Sequence, residues 1–208
     1  MDLLVELHYF PNVDFFAQAV KNGSVCIEAC ENYQKQTYRN RCYILGANKV
    51  QLLTVPVKKS GKKVGVREVE IDYTTSWRNN HLRSIVSAYG KAPYFEFYID
   101  YVTELFNKKH QYLFDLNLEA FYLCIHLLQI EIDVKMTENY IKKEEIDVNQ
   151  YIDQRDVFQP GKKNQLNDLG YVQYYQVFGK EFVPGLSILD LLFCEGPGSK
   201  EIIGNIVR

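Results

Sequence analysis

The sequence predicts a single α/β domain with a mixed β-sheet covered by several helices, and three observations predict it. The chain has 208 residues, 47% hydrophobic and 14% aromatic, which is enough for one substantial core and short for two. Short apolar runs rich in β-branched and aromatic residues alternate along it with stretches of helical period. Its opening reads strand, loop, helix, strand.

Taken in order, Leu3 to Phe10 reads as a strand that stops at Pro11. Pro11 suits the first turn of a helix, where a missing N–H is harmless, and Val13, Phe16, Ala17 and Val20 recur at helical spacing until Asn22-Gly23. Val25 to Glu28 is a second strand. Cys42 to Leu45 and Val50 to Val57 form a hairpin across Gly46-Ala-Asn-Lys49. The lysines at 58, 59, 62 and 63 surround Ser60-Gly61 in what reads as a solvated, mobile loop, and the alternation from Val66 to Asp72 predicts a half-buried strand. Ser76 is a plausible N-cap for a helix whose stripe is Leu82, Ile85, Val86 and Tyr89 and whose end is Gly90.

Pro93 opens another helix that runs toward Lys108-Lys109-His110. Leu113 to Ile130 is apolar on most of its circumference and predicts a central helix; Asp115, Glu119, Tyr122 and His126 make its polar face rather than a metal set. Residues 137–170 are polar and read as a long loop or lid. Val172 to Phe178 reads as a strand. Ser187 caps the run Ile188 to Phe193, Gly196-Pro-Gly-Ser199 breaks it, and an amphipathic piece follows.

Composition excludes several classes of function. The net charge of −2 with interspersed signs offers no sustained positive field for a phosphate backbone, so nucleic acid is not the expected partner. Five cysteines without a CxxC pair argue against both a disulfide framework and a zinc site, and fit a reducing compartment. The acids Asp2 and Glu6 stand where a signal peptide carries positive charge, and no apolar run reaches the roughly 18 residues of a span. The expectation is a cytoplasmic protein without a membrane span, without a metal and without a bound cofactor.

The candidate binding segment is Lys35, Arg39, Asn40 and Arg41, interleaved with Tyr33, Tyr38 and Tyr43. Guanidinium forks match phosphate or carboxylate and tyrosines give a sugar a stacking face; the plainer alternative is a strand edge whose long side chains lie over the core. His81 is the candidate acid or base, placed on the helical wheel beside Trp77 and Ser84 and off the apolar stripe; the alternative is a boundary histidine bonded to backbone. His8, Tyr9 and Pro11 sit at a strand-to-helix turn laid out like that of nucleotidylyltransferases, without their Gly-rich turn or His-x-Gly-His motif. Tyr89 and Tyr94 lie at a helix corner where aromatics usually pack and a sugar could stack. Gly196 to Ser199 could nest an anion or simply turn the chain.

Several of these segments recur together in one known family. Tyr33-Gln-Lys-Gln-Thr-Tyr-Arg-Asn-Arg-Cys42, Leu53-Thr-Val-Pro-Val57, Trp77 with His81-Leu-Arg83, Tyr89 with Ala92-Pro-Tyr-Phe95, and Leu186-Ser-Ile-Leu-Asp-Leu-Leu192 resemble the WbqC-like family in order and content. Many members open with Gln-Pro-x-Tyr-x-Pro-x-x-Gly-Tyr-Phe, where this chain has Glu6, Leu7 and Asp14 at the first, second and ninth places. The resemblance implies surface-polysaccharide or O-antigen biosynthesis. The expected activity is a transferase acting on a nucleotide- or carrier-linked sugar precursor, with the arginines on an anionic handle and His81 moving a proton in one shared pocket. The rival expectations are a non-catalytic module that binds a partner enzyme or a glycan intermediate, and a purely structural protein. A homodimer is a candidate assembly.

Overall fold

The computed structural model describes residues 1–59, 63–160 and 172–206. Its elements run β1 (Asp2–Val5), α1 (Val13–Asn22), β2 (Ser24–Ile27), β3 (Arg41–Leu45), β4 (Val50–Thr54), α2 (Trp77–Tyr89), α3 (Phe95–Asn107), α4 (Leu113–Leu128), β5 (Asp133–Met136), β6 (Tyr151–Asp153), α5 (Ile188–Glu195) and α6 (Ser199–Ile206). The expected α/β architecture is present. Its mixed strands divide into an all-parallel sheet of order β5-β2-β1-β6 and a separate antiparallel hairpin, β3-β4.

β1 is central, and its Leu3, Leu4 and Val5 are fully buried on both faces, the continuous apolar pattern of a covered parallel strand. β2 follows beside it in register Leu3 to Val25. α1 makes that parallel return possible. It is capped by Asn12, whose Oδ1 accepts the Phe15 amide at 2.9 Å, and it ends at Gly23 in the left-handed region, φ 70°. Pro11 therefore sits just outside the cap rather than within the first turn. α4 and α5 fill the centre: Phe121, Ile188, Leu191 and Phe193 are fully buried in the same core cluster as β1. The hairpin joins this core through Tyr43, whose carbonyl accepts the Ser187 amide at 2.8 Å.

Four expectations need correction. The first strand ends at Val5, and residues 6–10 run on as buried but irregular chain, with Phe10 held at φ 42°. Val66 to Asp72 is no strand: Val66–Glu68 make a 3-10 turn, and Glu70 and Ile71 form single bridges to Tyr112 and Val57. The polar stretch from 137 is not simply a lid, because it contains β6, which pairs Leu3 with Ile152; its residues 161–170 lie outside the described residues, as do 60–62 of the lysine loop. β5 escaped notice as well, since its alternating Asp133, Val134, Lys135 and Met136 are those of a sheet edge. Val172 to Phe178 carries no regular structure among the described residues.

Candidate functional site

Because all four strands of the main sheet run in parallel, the residues that follow each strand gather at one edge. β1 leads to Glu6, β2 to Glu28 and Glu31, β5 to Thr137, and β6 to Arg155 and Asp156. Between β1 and β6 the strand order reverses relative to the chain, since β1 continues through α1 to β2 on the other side. Such a switch point, at the carboxyl ends of the strands, is where open α/β sheets take their ligands.

A cleft of about 260 Å³ opens there, lined by Glu31, Tyr33, Tyr140, Lys143, Arg155 and Asp156 among others. Behind it lies a buried charge network centred on Arg39. Its Nε donates to Glu31 Oε1 at 2.7 Å and its Nη2 to Glu31 Oε2 at 2.5 Å, with a further contact from Nη2 to Asp156 Oδ1 at 3.3 Å. Glu6 Oε1 stands 3.8 Å from Arg39 Nη1 and accepts from His8 Nε2 at 3.1 Å, while Glu6 Oε2 accepts the Asp156 amide at 3.0 Å. The His8 ring packs among Phe15, Tyr38 and Phe158.

Burial works to raise the Glu6 pKa, but its contacts with His8 and Arg39 and the Asp156 amide outweigh that and take it down to about 2. Glu31 behaves differently. Burial raises its carboxyl pKa, and repulsion from Glu6 and Asp156 adds enough that the Arg39 fork does not reverse the shift. One carboxylate is thus held ionised while its neighbour on the cleft wall is kept readier to accept a proton.

A second bridge sits alongside. Arg155 donates from Nη1 to Glu28 Oε2 at 3.0 Å and from Nε to Asp153 Oδ1 at 2.9 Å. Thr137 Oγ1 donates to the other Glu28 oxygen at 2.6 Å, tying β2, β5 and β6 together at this edge. Among the described residues no cluster of His, Cys, Asp and Glu could hold a metal ion.

The residues singled out in the sequence do not converge on one pocket. His8 and Arg39 join the network through Glu6, and Lys35 is exposed on the loop between Gln34 and Thr37. The Nε and Nη2 edge of Arg39 is taken by the chain's own Glu31 and Asp156 carboxylates. Asn40 serves the hairpin, its Nδ2 donating to the Val55 carbonyl at 2.9 Å; Arg41 is half-buried on β3.

His81 lies on the buried face of α2 with Trp77, Ile85 and Tyr89, not off the apolar stripe. Its Nε2 is 3.2 Å from the Thr54 carbonyl, which can only accept, so that nitrogen carries the proton and Nδ1 accepts the Tyr9 hydroxyl at 2.9 Å. Burial lowers its pKa to about 4 even though the Thr54 carbonyl pulls the other way. Tyr89 stacks on Phe193 and takes the Leu45 amide on its hydroxyl, and Tyr94 packs against Gly196. Ser199 Oγ donates to the Leu191 carbonyl, a use internal to the fold.

Glu6, Glu31, Tyr140, Lys143, Arg155 and Asp156 went unassigned in the sequence. Of these only Glu6 carries a positional signal, as a polar residue directly after the apolar run Leu3 to Val5 that marks the carboxyl end of a strand; the others are brought to the edge by the parallel pairing of β5 with β2 and of β6 with β1.

Comparison with known proteins places the chain. The uncharacterized protein Rv1507c of Mycobacterium tuberculosis (strain ATCC 25618 / H37Rv) is 26% identical over 216 residues, covering 93% of each chain. No solved structure matches. The model of the WbqC-like protein family matches residues 7–202, nearly the whole chain and every element of the switch-point edge after β1, and the protein belongs to that family.

Proposed function

We propose that the protein is a transferase that acts on a nucleotide- or carrier-linked sugar precursor of surface-polysaccharide biosynthesis, with Glu31 as general base. The observation that carries this reading is the placement of Glu31. It stands on the wall of the switch-point cleft, its oxygens aligned by the Arg39 fork and its pKa raised by burial.

The volume supports one sugar ring rather than a whole nucleotide sugar, since pockets for drug-sized ligands run to about 300–1,000 Å³. Tyr33 and Tyr140 line it, the Tyr140 ring with the Arg155 guanidinium over one face, and supply the aromatic surface a sugar ring packs on. Exposed Lys143 stands on the rim, where a phosphate handle of the precursor would leave the cleft. In the step proposed, the Glu31 carboxylate takes the proton from an acceptor O–H or N–H. The acceptor atom bonds to the transferred group, and the bond from that group to its carrier breaks with the electron pair leaving on the carrier.

The rival reading, a non-catalytic module that binds a glycan intermediate, draws on a specific observation. Both ring nitrogens of His81 are engaged inside the fold, which leaves Glu31 without an imidazole partner for proton transfer. Purified protein incubated with nucleotide sugars, lipid-carrier sugars and acyl donors separates the two. A transferase yields a product of changed mass that Glu31→Gln no longer makes although it still binds; a module is stabilised thermally and yields none. A panel that neither stabilises the protein nor reacts ends both.

A further inference from the structure

The outer face of α3 and α4 carries an acid and aromatic pattern that the fold does not use. Neither helix contains a lysine or an arginine. A groove of about 470 Å³ runs between them, lined by Phe97, Tyr98, Tyr101, Ile125, His126 and Glu131 among others, none of which borders the switch-point cleft. Phe97 is 68% exposed and Tyr101 45%; four positions apart, they stand one above the other on α3. The Tyr101 ring meets that of His126 from α4, with centroids 6.3 Å apart. Glu96, Asp100 and Glu104 form the adjoining row, all exposed, and with Glu131 they make no salt bridge among the described residues. The cations that border the two helices are engaged elsewhere or stand at the corner. Lys108 and His110 are bonded to Glu119, Lys109 lies over the Tyr73 ring, Arg78 and Lys200 hold the Phe106 and Gln129 carbonyls, and exposed Lys91 is in the turn before α3.

Helix stability does not account for this pattern. Like charges four residues apart repel, and Glu104 stands in the last turn of α3, where the helix dipole disfavours an acid. A ring as open as Phe97 adds apolar surface in water. One kind of partner relieves all three: a segment whose apolar side chains enter the groove while cations on its flank meet the acid row and cover the ring faces. Phosphate-bearing surfaces, whether nucleic acid or anionic lipid, are repelled by those acids, and a second copy of the chain brings the same acid row against its own. We infer that the face of α3 and α4 docks a basic amphipathic helix of another protein, with leucine-like side chains between Phe97 and Tyr101 and lysine or arginine beside Glu96, Asp100 and Glu104. The inference is independent of the chemistry at the cleft.

Fluorescence anisotropy on the full chain tests this with three labelled peptides: an amphipathic helix of leucine and lysine, the same pattern with glutamate for lysine, and the leucine and lysine composition scrambled so that no apolar face forms. The basic helix is expected to bind about tenfold or more tightly than the other two, and less tightly as salt rises. Phe97→Ala with Tyr101→Ala should weaken it about tenfold, as should Glu96→Gln with Asp100→Asn. All four positions are exposed, so both variants should fold. Loss of two charges at exposed Glu144 and Glu181, by Glu144→Gln with Glu181→Gln, should leave binding as it is. A basic helix that does not bind, or that binds no better than the scrambled or the acidic one, overturns the inference. Undiminished binding by either α3 variant, or an equal loss in the control at 144 and 181, overturns it too. Self-association in sedimentation that Phe97→Asp abolishes gives the face to a second copy and likewise overturns it.

Discussion

Arg39 and Glu31 meet through two hydrogen bonds, Nε to Oε1 and Nη2 to Oε2, with the arginine side chain only 1% exposed. A fork matched to a carboxylate in this way fixes direction as well as charge. Removing one partner leaves the other as an uncompensated buried charge. Arg39→Ala is expected to cost about 3–5 kcal/mol of unfolding free energy, and Arg39→Lys to recover only a minor part, since an ammonium cannot reach both oxygens. Urea denaturation measures both. A lysine variant as stable as the wild type would mean that geometry at Glu31 counts for little.

Acid stability separates His81 from Glu6. His81 is neutral in the fold with a pKa near 4, while in the unfolded chain it titrates near 6.5. The unfolded state therefore binds a proton first as pH falls, and stability is full above 6.5 and lost progressively down to about 4, by roughly 3 kcal/mol. Glu6, ionised in the fold down to about 2, adds a second loss that begins only below about 4.5. His81→Gln should remove the first slope and keep the second. Denaturation curves between pH 7 and 3 check this, and an unchanged slope between 6.5 and 4.5 would deny His81 the role.

How far the sequence discloses this depends on what kind of signal each part leaves. α1, α4 and the hairpin are legible because caps and apolar period act within a few residues. His81 was misread because α2 has two adjacent apolar rows, Leu82, Ile85, Val86 and Tyr89 against Trp77, His81, Ile85 and Tyr89; the fold buries the second, and Val86 stays 48% exposed. Arg39 is legible as a residue of interest, but not as one whose Nε and Nη2 are taken by the chain's own carboxylates. Its partners Glu6 and Asp156 lie 33 and 117 positions away, and only the parallel pairing of β1 with β6 brings them together. Local patterns carry no trace of that pairing, because β6 is three residues long and half-buried on an edge.

Two glycines near the C-terminus should respond in opposite ways. At Gly196, φ is 52° and an added Cβ would lie 2.4 Å from the Tyr94 ring, so Gly196→Ala must both strain the backbone and displace an aromatic. It is expected to destabilise by more than about 1 kcal/mol. Gly204, within α6, has open space at the same point. Gly204→Ala should stabilise by about 0.5–1 kcal/mol through helix propensity. Thermal melts of the two single variants give the comparison; a tolerated Gly196→Ala would show that Tyr94 yields easily.

Asp156 joins the two halves of the cleft chemistry to the backbone that carries it. Its φ of 59° places a non-glycine residue in the left-handed region, held there by its amide on Glu6 Oε2. Glycine relieves that conformation but removes the carboxylate; alanine removes the carboxylate and keeps the strain. Because the carboxylate is 32% exposed, its pairing with Arg39 is screened and contributes modestly to stability. Asp156→Gly is therefore expected within about 1 kcal/mol of wild type, and Asp156→Ala about 1 kcal/mol below Asp156→Gly. Paired urea denaturation of the two variants decides it: equal stabilities would mean that the backbone at 156 relaxes freely.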